Sequence, residues 1–155
     1  MERTEIGPDG QVAGVTRLEH PADVALDVVG PTLEACLARA GVGMFAVMVA
    51  PASEACLSTG PTGDVVDVRV AAPDPPQLMH AWLEELLVRS DTEGTVFVRC
   101  EVELTDGGVH GRVHGLPADD PRLEPVGPAV KGVTWHGLQT EAQAHGWQAQ
   151  VLLDV

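Results

Sequence analysis

The spacing of apolar residues changes along the chain, and each change marks an element. From Val24 to Val29 apolar and other residues alternate, with Val24, Leu26 and Val28 on one face, which predicts a half-buried strand. Gly30-Pro31-Thr32 ends it and opens a helix: Thr32 suits the N-cap and Glu34 the first turn. Leu33, Leu37, Ala40, Met44, Phe45 and Met48 form that helix's buried stripe, although Gly41 and Gly43 lower its intrinsic propensity. Asp64 to Val70 alternates valine with charge, a strand with one wet face. In Pro75 to Phe97, Leu78, Met79, Trp82, Leu83, Leu86 and Leu87 recur at three- and four-residue steps and predict a second amphipathic helix. Asp74 is placed to cap it, Pro75 fits the first turn, and Gln77 completes a capping-box pattern. A polar turn is expected at Ser90-Asp91-Thr92-Glu93-Gly94.

The second half reads as strands. Gly94 to Leu104 sets Val96, Val98, Cys100, Val102 and Leu104 against Thr95, Phe97, Arg99, Glu101 and Glu103. Asp106-Gly107-Gly108 signals a hairpin, with Val109 to Gly115 returning. Pro117 to Pro128 reads as a loop, and Ala129 to Leu138 and Gly146 to Val155 as the last two strands. Residues 1–15 predict a loose arm or a weak first strand, and Pro51 to Gly63 a surface linker. Two helices among about seven strands predict an α+β fold: a single compact domain with the helices packed on a mostly antiparallel sheet.

Charge narrows the function. Nine Lys+Arg against 23 Asp+Glu leave a formal net charge of -14. Such a chain is a poor direct ligand for phosphate backbones, so any work on RNA is expected through a basic partner or a metal. Hydrophobic residues make up 45%, a globular composition over 155 residues. No apolar run approaches the ~20 residues of a membrane helix, and the N-terminus lacks a secretory pattern, so a cytoplasmic protein is expected. Cys36, Cys56 and Cys100 are too few and too scattered for a disulfide framework or a zinc site.

Three aspartates stand at element boundaries: Asp23, Asp91 and Asp154. Asp154 follows the apolar run Val151-Leu152-Leu153, beside Val155 and its carboxylate. Carboxylates brought together repel, and a hard cation such as Ca²⁺, Mg²⁺ or Mn²⁺ relieves the repulsion. Each aspartate alone is equally well read as a cap or a solvated surface group. His20, three residues before Asp23, and His136, beside Thr134, could carry protons, bind metal or make a structural hydrogen bond. His80, His110, His114 and His145 have no organised acid nearby in sequence. No P-loop, GxGxxG, GxSxG or HExxH is present.

His20-Pro21-Ala22-Asp23, Leu26 to Glu34 and Gly43-Met44-Phe45 resemble the opening of the archease family. Trp82 to Leu87 with Asp91-Thr92-Glu93-Gly94 resembles its central helix and turn. Val130 to Leu138, and Gly146-Trp147 running to Val151-Leu152-Leu153-Asp154-Val155, resemble its closing strands. The resemblance implies a non-enzymatic cofactor of the RNA-splicing ligase of tRNA splicing and RNA repair, which promotes ligase guanylylation and multiple turnover. It also implies a divalent metal, calcium in a structure, held by Asp23, Asp154 and Val155. Asp91 matches the position in the DTEG motif, and with His20 it is a further candidate member of the acidic site. The partner implied is the ligase, with RNA reached only through it. The chain departs from the family at Ala129, where a glutamate is usual, and has no histidine between Gly115 and Thr134, so Leu116 to Pro128 is divergent. Two other classes fit the sequence: a metal-dependent phosphohydrolase using the same acids, and a chaperone-like binding module without metal.

Overall fold

The computed structural model describes residues 2–19, 23–52 and 64–155. His20, Cys56 and residues 53–63 of the expected linker lie outside the described residues. In chain order the elements are β1 (Glu2–Glu5), β2 (Val15–Glu19), β3 (Asp23–Gly30), α1 (Leu33–Ala46), β4 (Val49–Pro51), β5 (Val65–Ala71), α2 (Pro75–Glu93), β6 (Thr95–Thr105), β7 (Gly108–Pro117), β8 (Leu123–Pro125), β9 (Gly132–Gln143) and β10 (Gly146–Asp154). One four-stranded sheet has the order β1-β6-β7-β5 and a second the order β2-β3-β10-β9, while β4 and β8 make a small third. Every pairing is antiparallel.

The fold is α+β, with its strands divided between two principal sheets. Both helices touch strands of both sheets and fill the layer between them. α1 is therefore buried nearly all round, as a helix whose polar positions are few must be. Its Gly41 lets α2 approach: a Cβ there would lie 2.9 Å from Leu86 and 3.1 Å from the Trp82 ring nitrogen. On the far side of that ring a Cβ on Gly111 would overlap it. Trp82 is fully buried in this slot and donates its indole N–H to Leu37 O at 2.8 Å. Phe45 and Phe97 meet edge to face at 5.5 Å nearby.

The caps expected from sequence are present. Thr32 Oγ1 accepts from Ala35 N at 3.1 Å, and Asp74 Oδ1 from Gln77 N at 2.9 Å. The Gln77 amide donates to the Asp74 carboxylate at 2.8 Å, where a capping box would have it reach the cap's main chain. The expected turn at Ser90 to Gly94 is instead helical through Glu93. Gly94, at φ 66°, stops the helix and donates to Ser90 O, a left-handed C-terminal cap.

Residues 2–5 form an edge strand on β6, and Ile6 and Val12 are buried, so this segment is tied down. The loop expected from Pro117 to Pro128 contains β8, which pairs with β4. Two bulges interrupt the alternation. In β6 the register shifts between Phe97 and Arg99, which returns Phe97 to the buried face. In β9, Gln139 pairs with Gln150 but Thr134 with Leu152, so Trp135 to Leu138 loops out, with Gly137 at φ 69°.

Candidate functional site

Strand alternation decides which side chains of the second sheet face outward. Val24, Leu26 and Val28 of β3, and Ala149, Val151 and Leu153 of β10, are buried against the helices. The intervening residues, Asp23, Ala25, Asp27 and Val29, and Gln148, Gln150, Leu152 and Asp154, therefore share the outer face. Asp23 and Asp154 are direct cross-strand partners. Residues so placed hold their Cβ atoms about 5 Å apart, and two like charges there destabilise the pair. The next position in the row is Gly132 of β9, over which there is open space. On its β9 side the pair thus stands beside a gap and not beside a third side chain.

The strand bearing Gly132 is held from two sides. Lys131 N donates to Asp154 O at 2.7 Å. From α2, His80 Nε2 meets Val133 O at 2.9 Å, and Glu84 Oε1 accepts from Val133 N at 3.3 Å. Since a carbonyl only accepts, His80 Nε2 carries the proton. Trp135 stacks on the His80 ring at 3.7 Å while remaining 59% exposed. His80 and Glu84 are spaced i,i+4 on one flank of α2's apolar stripe, a signal that periodicity alone does not separate from an ordinary surface pair.

Asp91 is exposed in the last turn of α2. Among the described residues no three His, Cys, Asp or Glu side chains form a group able to hold a metal, so Asp91 does not join Asp23 and Asp154 in a three-acid cluster. Val155 follows Asp154 directly and is half-buried, and His20 lies outside the described residues. The oxygen-only pair has the chemistry of a hard divalent cation site, whose coordination main-chain oxygens and water would complete. His136 is exposed within the β9 bulge. With Gly137 it borders a recess of about 190 Å³ over Ala25, Gln150 and Leu152. Two larger cavities, of about 390 Å³ beside β2 and about 560 Å³ at the β9–β10 turn, include neither aspartate.

Acids absent from the neighbourhood of His110 and His114 in sequence arrive across strands. His110 meets Asp67 at 2.9 Å and Glu103 at 3.3 Å, and His114 meets Glu101 at 2.8 Å. The hydrogen bond from His110 holds Asp67 below its ordinary value, and that from His114 does the same for Glu101. Cys36 and Cys100 are buried free thiols, and burial pushes the Cys36 thiol up to about 11.

The sequence profile of the Archease protein family matches residues 16–155. The chain belongs to the archease family. A protein archease of Thermococcus gammatolerans is 33% identical over 142 residues, covering 88% of this chain and 95% of that protein. A probable protein archease of Mycobacterium tuberculosis is 28% identical over 151 residues, 97% of this chain and 80% of that protein. The solution structure of protein 1598 of Methanobacterium thermoautotrophicum matches with a TM-score of 0.69 at 25% identity, covering 92% of this chain and 99% of that one. A Thermotoga maritima archease, described as a possible chaperone, shares the fold with a TM-score of 0.61 at 13% identity, over 90% of this chain and 96% of that one. Among the described residues no helix is long and apolar enough to cross a membrane.

Proposed function

We propose that this archease is an accessory activator of an RNA-splicing ligase, and that Asp23 and Asp154 form its working site. The observation that carries the reading is their placement: two carboxylates facing each other on an exposed sheet face, with a glycine gap next to them on the β9 side and no lysine or arginine in their row among the described residues. Stability alone does not favour such an arrangement, because like charges directly opposite repel. A divalent cation, calcium or in its place magnesium or manganese, would supply the missing positive charge, with Val155 adding a main-chain oxygen. The chain's own residues do the rest. The β3–β10 register fixes the spacing of the two carboxylates, and Lys131, His80 and Glu84 fix the strand end that flanks them. A net charge of -14 steers the protein toward a basic ligase and away from bare RNA.

The test is multiple-turnover RNA ligation by an RNA-splicing ligase of the same organism. The protein should raise product above one equivalent per ligase, and Asp23→Ala and Asp154→Ala should abolish the gain while remaining folded. Full stimulation by both variants would overturn the assignment of the site. A phosphate-ester turnover by the purified protein alone would instead favour a hydrolase.

A further inference from the structure

The two outer sheet faces differ in how they treat charge. On the first sheet, acids and bases interleave: Asp67 and Glu101 flank Arg112 in one row, Glu103 and Arg69 flank His110 in the next, and His114 reaches Glu101 diagonally. On the second, the outward strand positions carry Asp23, Asp27, Asp154 and Glu141, and no lysine or arginine occupies a strand position of that face among the described residues. The acids are accompanied by apolar groups that water does not favour: Leu18 is 49% exposed and Val29 51%. Leu18, Ala25 and Leu152 lie in one row across β2, β3 and β10, adjacent to the row of Asp23 and Asp154. Ala25, although on the outer face, is only 7% exposed, because the β9 bulge brings His136 and Gly137 over it.

We propose that this outer face docks a basic protein surface, and that the recess beneath the β9 bulge receives one arginine side chain of the partner. At about 190 Å³ the recess is smaller than the usual 300–1,000 Å³ of small-molecule pockets, which suits a single side chain and not a nucleotide. Ala25 and Leu152 give an apolar floor for an arginine's methylene stem, and Gln150 and His136 stand at its polar rim. Asp27, the cross-strand partner of Gln150 and two residues along β3 from Ala25, stands about 7 Å from that floor, within reach of a guanidinium, whose planar fork matches a carboxylate better than an ammonium does, and Asp23 and Asp154 are left to the cation. The first sheet, neutralised by its own cross-strand pairs, offers no comparable attraction. This deepens the proposed function and rests on it for the identity of the partner, but not for the face or for what it binds.

The experiment is a titration of the ¹⁵N-labelled full chain with a hexa-arginine peptide, repeated with hexa-lysine. Amide shifts are expected at Ala25, Asp27, His136, Gln150 and Leu152, with β5 to β7 silent, and hexa-lysine should bind at least threefold more weakly. Asp27→Lys should weaken hexa-arginine at least tenfold, while Glu103→Lys on the first sheet should leave it unchanged. Shifts spread over both sheets, or none, would overturn the docking face, and equal affinity for the two peptides would overturn the arginine recess. Binding of an RNA-splicing ligase by the same variants separates this inference from the one beneath it. If the peptide maps to the face but wild-type protein binds no ligase, the face stands and the ligase reading falls. If Asp27→Lys binds ligase as wild type does, the ligase reading stands and the docking face falls.

Discussion

At the scale of single residues, the facing pair Asp23 and Asp154 makes a prediction with two opposite signs. Asp154→Asn removes a like-charge repulsion, so without divalent cation the protein should gain up to about 1 kcal/mol at low salt. The same change removes half of the proposed cation site, so a rise in melting temperature with added Ca²⁺ should be seen in the wild type and be lost in the variant. Thermal melts with and without calcium read both effects, and an unchanged calcium response would exclude Asp154 as a ligand. Trp82 makes the complementary case for the core. Its truncation to alanine should cost about 3–5 kcal/mol, and Gly111→Ala, which forces a methyl against the same ring, about 1–3 kcal/mol, both measured by denaturant titration. The sequence showed Trp82 as a core residue through its helical spacing, but not that Gly41 and Gly111 are small because of it. Those contacts join segments far apart in sequence.

At the scale of elements, local signals were legible and interruptions were not. The Thr32 and Asp74 caps, the alternation of β3 and the buried stripe of α2 follow from periods and capping chemistry within a few residues. Asp74→Ala should therefore cost about 1 kcal/mol in a melt, the ordinary value of an N-cap. The bulges in β6 and β9 depend on pairing partners that are not neighbours in sequence, and they misplace Phe97 and hide the looping out of Trp135 to Leu138. The strands β1, β4 and β8 are only three or four residues long, too short for alternation to distinguish them from loop. For the candidate site, Asp23 and Asp154 were visible as acids at strand ends, but their register was not. Asp91, which the resemblance grouped with them, stands in the last turn of α2 because the helix runs farther than its polar composition suggests.

At the scale of the whole molecule, charge governs the response to solution conditions. Asp67 and Glu101 titrate below their ordinary values of 3.8 and 4.5 in the folded chain, so their contribution to stability is complete above those values and is lost as the pH falls through the lower folded ones. Melting temperature should fall on acidification from about pH 5 toward pH 3. Asp67→Asn combined with Glu101→Gln should flatten that part of the profile. An equally steep profile in the double variant would place the acid sensitivity elsewhere.

β10, which follows the other described strands in sequence, lies in the interior of its sheet, between β3 and β9. A ribosome making this protein releases β2 and β3 early, yet these strands have no partner on their inner edge until residues 146–154 have emerged. The second sheet is therefore completed from its middle, and only with β10 is Asp154 placed opposite Asp23. A nascent or shortened chain lacking this strand would hold neither a finished sheet nor a pair of facing carboxylates. The candidate site thus comes into being only with the closure of the fold, and an incomplete chain cannot present it to a partner.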